Sequence, residues 1–381
     1  MDRFEELVEE LVKHMECTSQ NWFFGAGISA KANIPLMNCL TRRVVALLPN
    51  AELKTLYSDI SNDLADDYHI EHVLSQLGDY IAIAERSKHG KAIINGNGYH
   101  IDELNLLHTE ITKAIGETIK YGYCEEDSKT TTPENIGDIS CPIISIDGHL
   151  DFVTTLISSR SNLLSRSSLT VFTTNYDTLL EDAFSLLNIE VNDGFIGSAI
   201  GHWNPKQSFN KATGINIVKL HGSVDWTKDL KYGLFRNRYG VNYLSKDHEV
   251  MIYPQATKYV ETQKDPFAEL FAELRRKLNS TKENILIING YSFGDEHINS
   301  EIVQAINNEN NKTTLIVFID CIKPPLLSLL NNQNTSKKVF ISTKEGIYHA
   351  DVNINKKDDK AELEWWTFEG MIRFLKDGEA I

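Results

Sequence analysis

Four short runs in this chain set side chains that can hold or move a proton, or glycines that admit a ligand, at the end of an apolar stretch. In Thr173-Thr174-Asn175-Tyr176-Asp177 an apolar run stops abruptly in hydrogen-bonding groups. One helix cap uses a single such group. That leaves Asn175 to orient a water or hold a ribose hydroxyl, while Asp177 suits either the start of the next helix or acceptance from a carboxamide. In Leu220-His221-Gly222-Ser223 the histidine ends a second apolar run with glycine behind it. An imidazole there is either a satisfied structural group or a base facing a cleft, and it is the side chain best matched to proton transfer near neutral pH. None of the other histidines, His69, His72 and His100 among them, has a comparable sequence setting.

The other two runs are glycine turns. Gly25-Ala26-Gly27-Ile28-Ser29 comes after a short aromatic stretch, and its glycines permit close backbone approach. A helix start behind them offers free N–H groups to a pyrophosphate. The third glycine of the usual dinucleotide fingerprint is missing, so a purely structural turn stays open. Gly290-Tyr291-Ser292-Phe293-Gly294-Asp295 has the same two readings: a structural turn, or a second nucleotide contact in which Gly290 admits the ligand and Ser292 donates to ribose or phosphate.

Positioning these runs calls for an α/β frame. Residues 2–16 repeat Phe4, Leu7, Val8, Leu11, Val12 and Met15 on one helical face. Strands are predicted at 21–24, 169–173, 215–220, 250–253 (stopped by Pro254), 284–289, 314–319 and 339–342, with helices at 152–164, 267–278 and 363–375. Between 40 and 120 the spacing is helical, with Leu74, Leu77, Ile81 and Ala84 on one face and Leu104, Leu107, Ile111 and Ile115 on another. Residues 124–142 are polar and turn-rich and are read as a mobile loop. Alternating strands and helices imply a Rossmann-like, doubly wound parallel sheet, over 1–40 and 145–381, with a helical lobe and loop inserted at 41–144. In such sheets ligands bind beyond the carboxyl ends of the strands, where all four runs fall.

Composition narrows the partners. The chain has 381 residues, 41% of them hydrophobic and 24% charged, which suits a packed globular protein. A net charge of -15 argues against a broad basic surface for duplex DNA and leaves direct DNA binding to a local groove. No run reaches the roughly 18 apolar residues of a membrane span, and the acidic, amphipathic start is unlike a signal sequence, so a cytoplasmic protein is expected. Cys17, Cys39, Cys124, Cys141 and Cys321 are scattered, with no CxxC pair, and no Walker A sequence occurs.

Taken in order, the four runs resemble the sirtuin family. Phe24-Gly25-Ala26-Gly27-Ile28-Ser29 with Asn33-Ile34-Pro35 is similar to its glycine loop. Thr174-Asn175-Tyr176-Asp177 resembles its catalytic Asn and nicotinamide-contacting Asp, His221-Gly222 its catalytic His-Gly, and Gly290-Tyr291-Ser292 its Gly-x-Ser turn. Three departures are informative. The paired CxxC motifs of a zinc module are absent, Leu36-Met37-Asn38 stands where deacylases carry Asp-Phe-Arg, and the run after Ser292 differs. The pattern is most similar to bacterial sirtuin-like antiphage defence proteins that deplete NAD, in particular the stand-alone subunit working beside a HerA-type ATPase.

That resemblance implies NAD as substrate and no metal. Pyrophosphate would lie over Gly25, Ala26, Gly27 and Ser29, adenosine near Gly290, Ser292 and Asp320, and nicotinamide by Thr174 and Asp177. Asn175 and a water would sit below C1′, with His221 accepting a proton, giving nicotinamide and ADP-ribose. A homo-oligomer is expected, with the helix at 2–16 as one candidate contact and packing on its own domain as the other reading. Activity is expected to be restrained by assembly or by residues 124–142 until a partner releases it. The rival readings are an NAD-dependent protein deacylase and a non-catalytic nucleotide- or nucleic-acid-binding scaffold.

Overall fold

Period-two alternation within the apolar strands builds a central sheet that is apolar on both faces. Trp22, Phe24, Val171, Ile217, Ile287, Ile316 and Phe340 point to one side, and Phe23, Phe172, Val218, Ile288, Val317 and Ile341 to the other. In the computed structural model, which describes residues 3–16, 19–126, 133–160, 169–211, 214–238, 249–252, 266–350, 352–355 and 362–378, this sheet has nine strands. Their order is Val352–Asn355, Gly346–His349, Val339–Ser342, Thr313–Phe318, Asn284–Asn289, Gln20–Phe24, Thr170–Thr173, Ile215–Lys219 and Val191–Asn192. Every pairing from Val339–Ser342 to Val191–Asn192 is parallel. The two strands after Ser342 turn back antiparallel, which the expected last strand at 339–342 did not include.

Helices cover both faces. Arg3–Met15, Asp147–Arg160, Leu179–Leu186 and Phe368–Asp377 close one side, and Phe267–Leu278, Glu296–Asn307 and Pro324–Leu330 the other. The doubly wound, Rossmann-like α/β class expected from the alternation is therefore the observed one. Leu7, Leu11 and Met15 of the first helix are buried in the main core. Removing such side chains from water stabilises by roughly 1.5–3 kcal/mol each, so this part of the apolar face is used on the chain's own sheet. Of the two readings of this helix, packing on its own domain is the one that Leu7, Leu11 and Met15 take.

Met37–Leu47, Ala51–Ser61, Ile70–Arg86 and Ile101–Tyr121 pack around a third apolar cluster that includes Leu40, Val44, Leu56, Ile60, Leu74, Leu77, Leu107 and Ile111. Tyr176, Leu179 and Val224 join the same cluster, so the helical layer is docked directly onto the strand ends. The glycine interruption near Gly96 is a hairpin, Lys91–Ile94 against Asn97–His100, anchored by Tyr99 and Asn97 on the Asp59 carboxylate. Within 124–142, Tyr123–Cys124 pairs with Asn135–Ile136, and residues 127–132 lie outside the described ones, as do Cys17, Tyr253 and Pro254.

The purely parallel expectation fails again outside the main sheet. After His221 the chain leaves the main sheet at Gly222, whose φ of 86° turns the backbone outward. It then builds a five-stranded antiparallel sheet from Phe195–Gly197, Ile200–Trp203, Gly222–Asp229, Gly233–Asn237 and Glu249–Ile252. Asp225, Thr227 and Asp229 are buried in it, so its strands lack the apolar alternation by which strands are read. No described helix is long and apolar enough to cross a membrane.

Candidate functional site

Chain order decides where the four runs meet. From Gln20–Phe24 the chain adds Thr170–Thr173 and Ile215–Lys219 to one side of that strand and Asn284–Asn289, Thr313–Phe318 and Val339–Ser342 to the other. This reversal is the topological switch point of an open α/β sheet, where ligands bind. Gly25–Ser29, Thr174–Asp177, Leu220–His221 and Gly290–Ser292 come directly after four neighbouring parallel strands. Backbone bonds knit those ends: Gly25 N–H to the Asn289 carbonyl (3.2 Å), Thr174 N–H to Phe24 (3.2 Å) and Leu220 N–H to Thr173 (2.9 Å).

The glycines have a structural reason to be glycine. A Cβ on Gly25 would lie 2.6 Å from the Gly290 carbonyl oxygen, one on Gly27 2.7 Å from the Gly290 Cα, and one on Gly290 2.7 Å from the Ile28 nitrogen. The Gly27 N–H donates to the Gly290 carbonyl at 2.9 Å. These turns are thus pressed together by backbone. Gly25 leads into a seven-residue 3-10 helix, Ala26–Ala32, ended by Asn33 at a φ of 64°, rather than into the α-helical start that the pyrophosphate argument used. Gly290→Ala, at a φ of 69°, is expected to destabilise by about 1–3 kcal/mol, read as a lower urea midpoint with an unchanged slope.

Ser29, fully buried, is the hub of one side-chain cluster. Its hydroxyl donates to Asp177 Oδ2 at 2.9 Å and accepts from Asn175 Nδ2 at 3.1 Å, with His149 Nε2 at 3.5 Å. Asp177 also accepts from the Leu179 N–H through Oδ1 (3.1 Å), so the helix-opening reading of this residue is realised together with a site contact. The Asn175 Nδ2 is used but its Oδ1 is buried with no partner, an acceptor free for a water or a hydroxyl. Burial pushes the His149 imidazole below its ordinary value, against the pull of Asp177 and Glu369. His149 therefore corrects the reading that no other histidine has a comparable setting; it lies in the first turn of Asp147–Arg160, ahead of the predicted helix.

The second cluster centres on His221. Its Nε2 lies 2.9 Å from Asp295 Oδ2, and the two side chains are each only 4% exposed. Asp295 Oδ1 accepts from the His297 and Ile298 N–H groups, capping Glu296–Asn307. Burial pushes this carboxyl up, but the hydrogen bond and charge of His221, with the two helix N–H groups, hold it below the usual aspartate range. An ionised Asp295 accepts only, so Nε2 donates in this pair, and in the neutral tautomer Nδ1 is the atom left to accept a proton. Tyr176 links the clusters. Its carbonyl accepts from Val224 N–H (3.0 Å) and Ser223 Oγ (3.2 Å), and its hydroxyl donates to Glu71 Oε1 at 2.5 Å.

Of the other expected residues, Thr174 is half-buried between these clusters, Ala26 and Ser292 are exposed, and the Ser292 hydroxyl accepts from Gly294 N–H at 3.3 Å. Asp320 stands at the end of the next strand and pairs with Lys323 at 3.3 Å. Asp295, Glu71 and His149 were missed as site residues. Asp295 was legible only as the last residue of the Gly290–Asp295 turn, and nothing local in the sequence connects Glu71 to a strand end. A polar cleft of about 1210 Å³ lies beside the site, lined by Lys120, Thr178, Asp182, Asp225, Arg236 and Arg238 among others, but neither Asn175 nor His221 lines it. Among the described residues no group of three or more His, Cys, Asp or Glu is placed to hold a metal ion.

Residues 169–339 match the family model of the SIR2-like domain, a stretch that contains Asn175, His221, Gly290, Ser292 and Asp295. Two solved structures are similar over most of the chain. One is a Sir2 homologue mutant in complex with ADP-ribose, 12% identical, covering 86% of this chain and 88% of that one with a TM-score of 0.37. The other is a Sir2 homolog–NAD complex, 12% identical, covering 84% and 85% with a TM-score of 0.39. No curated protein matches the sequence.

Proposed function

We propose that this chain hydrolyses NAD at the nicotinamide N-glycosidic bond, giving nicotinamide and ADP-ribose. The observation that carries the reading is the placement of Asn175 and His221 just beyond the ends of two neighbouring parallel strands, beside the switch point of the sheet. The match of residues 169–339 to the SIR2-like domain supports it. Fit to the substrate rests on the unpartnered Asn175 Oδ1, which suits a ribose hydroxyl or the attacking water.

In this reading Asn175, steadied by Ser29, places a water below C1′, where positive charge builds as the bond to nicotinamide breaks. The water's oxygen forms the new bond to C1′ and nicotinamide leaves with the bonding electrons. His221 takes the water's proton on Nδ1 while Asp295 stabilises the imidazolium, as a buried carboxylate does for a catalytic histidine. Gly25, Ala26, Gly27 and Ser29 would face the pyrophosphate, Gly290 and Ser292 the adenosine half, and Thr174 and Asp177 the nicotinamide side.

Biologically, the reading is NAD depletion in antiphage defence, in a homo-oligomer beside a HerA-type ATPase. Asn175 and His221 are only 7% and 3% exposed, which supports a site that opens on assembly with a partner. The test is incubation of purified protein with NAD, with and without such an ATPase and without acyl-peptide. Nicotinamide and ADP-ribose appearing in equal amounts is the expected result. Release strictly dependent on an acylated peptide would replace it with a deacylase, and NAD binding without turnover in every condition would leave a scaffold.

A further inference from the structure

Asn299 is a polar residue on the buried face of Glu296–Asn307, among Ile298, Ile302, Ala305 and Ile306. An amide enclosed there is costly unless both of its ends are bonded, and both are, to one short turn. Its Nδ2 donates to the Phe293 carbonyl at 2.8 Å, and its Oδ1 lies 3.1 Å from the Tyr291 hydroxyl. That hydroxyl is also 3.2 Å from the Asp295 carbonyl, so its one hydrogen is held between helix and turn. Burial, with the charge of Asp295, pushes the Tyr291 hydroxyl well above its ordinary range, which keeps it a donor. The turn needs such a tether. Phe293 has a φ of 58°, a conformation that bulky residues rarely adopt, and one that persists only where the surroundings over-determine it. Its ring packs 4.9 Å from that of Tyr291, which lies 4.9 Å from Phe23 of the central sheet. Two residues on, Asp295 gives Oδ1 to the helix N–H groups and Oδ2 to His221. It can serve both partners only while the turn keeps its place against the helix.

We propose that Asn299 is a positioning residue for the hydrolysis assigned to Asn175 and His221, on which this inference rests: it latches the Gly290–Asp295 turn to the helix, so that Asp295 Oδ2 stays on His221 Nε2 and the neutral ring keeps Nδ1 as its proton acceptor. Asn299 touches neither substrate nor water in this scheme. It acts through Asp295, and the chain of contacts from Asn299 to Phe293 and Tyr291, and from Asp295 to His221, is one of hydrogen bonds between buried groups.

Asn299→Leu tests this, because it keeps the branched shape of the side chain and removes both its donor and its acceptor. The readout is the His221 ring in long-range proton–nitrogen NMR spectra, recorded above the midpoint of its titration and identified by its loss in His221→Ala; it needs no turnover. The wild type is expected to show one neutral tautomer, with the hydrogen on Nε2, and Asn299→Leu a mixture of the two. In the NAD assay kcat should fall by about 10–100-fold, the scale of a small misplacement of a reacting group, with KM nearly unchanged. A residue that only held the fold would lower the urea midpoint and leave the ring spectrum as it is. A single, unchanged tautomer in folded Asn299→Leu would therefore overturn the proposal. If Asn299→Leu does not fold, Tyr291→Phe, which keeps the ring and removes one tether, is read for the same mixture, and its absence counts equally against the latch. A mixed tautomer with no nicotinamide release from any form, wild type included, would keep the latch on Asp295 and remove the hydrolysis it was assigned to serve.

Discussion

In Asn175→Ala and in His221→Ala, nicotinamide release from NAD is expected to fall by about 10²–10⁴-fold, the usual worth of a positioned proton acceptor and its partner. The double variant should lose little more than the worse single one, because groups that act on one water are not additive. Asn175→Ala removes both the donor that holds Ser29 and the buried acceptor Oδ1. His221→Ala leaves Asp295 without its imidazole but still bound to two helix N–H groups, so the fold should survive for the assay. Asp295→Asn separates the two duties of that residue. Asn caps a helix about as well as Asp, whereas the loss of charge frees the His221 tautomer and should cost turnover nearly as much as losing the ring. The same carboxyl, held below its ordinary range, contributes stability that is present above that range and lost only as pH falls through the lowered folded value. Asp295→Asn should lack this acid limb. Rates in both alanine variants within threefold of wild type, with intact circular dichroism, would remove Asn175 and His221 from the chemistry.

The parallel sheet was legible because its strands are short apolar runs, rich in β-branched and aromatic residues and bounded by turns, so that length and composition separate them from buried helix. The four motifs were legible for the same reason: each is an abrupt change from Ile, Val and Phe to Gly, Asn, His or Ser at a strand end. The features that escaped were non-local or polar. Asp295 meets His221 across 74 positions of sequence, and Glu71 reaches Tyr176 across 105. Of the antiparallel sheet only the strand at 250–253 was expected; Gly222–Asp229 escaped because Asp225, Thr227 and Asp229 are buried where apolar residues are the usual sign of a strand. The glycines were read correctly as sites of close approach, but their neighbour is the Gly290 backbone, a contact between segments far apart in sequence.

Lys219→Met is expected to destabilise the protein by about 3–5 kcal/mol, the range for removing one partner of a buried ion pair. Lys219 is the last residue of Ile215–Lys219, and its side chain is 1% exposed beside that of Glu181 at 4%, with Nζ to Oε1 at 3.2 Å. The same ammonium donates to the Asp177 carbonyl. Burial already pushes the Glu181 carboxyl above its ordinary range, with Lys219 and then Arg238 pulling it down. Without Lys219 it should rise further, and the cost should shrink as pH falls and Glu181 takes up a proton. Guanidinium unfolding at several pH values checks this; a pH-independent cost would mean that the loss is one of packing. The double variant Lys219→Met with Glu181→Leu should recover most of the stability, since well-packed apolar groups replace buried pairs at little net cost. It does not restore the bond to the Asp177 carbonyl, which sits two residues after Asn175. A double variant that is stable yet slow in releasing nicotinamide would therefore assign Lys219 to holding the strand end in register for chemistry. One that is stable and fully active would make the pair a feature of the fold alone.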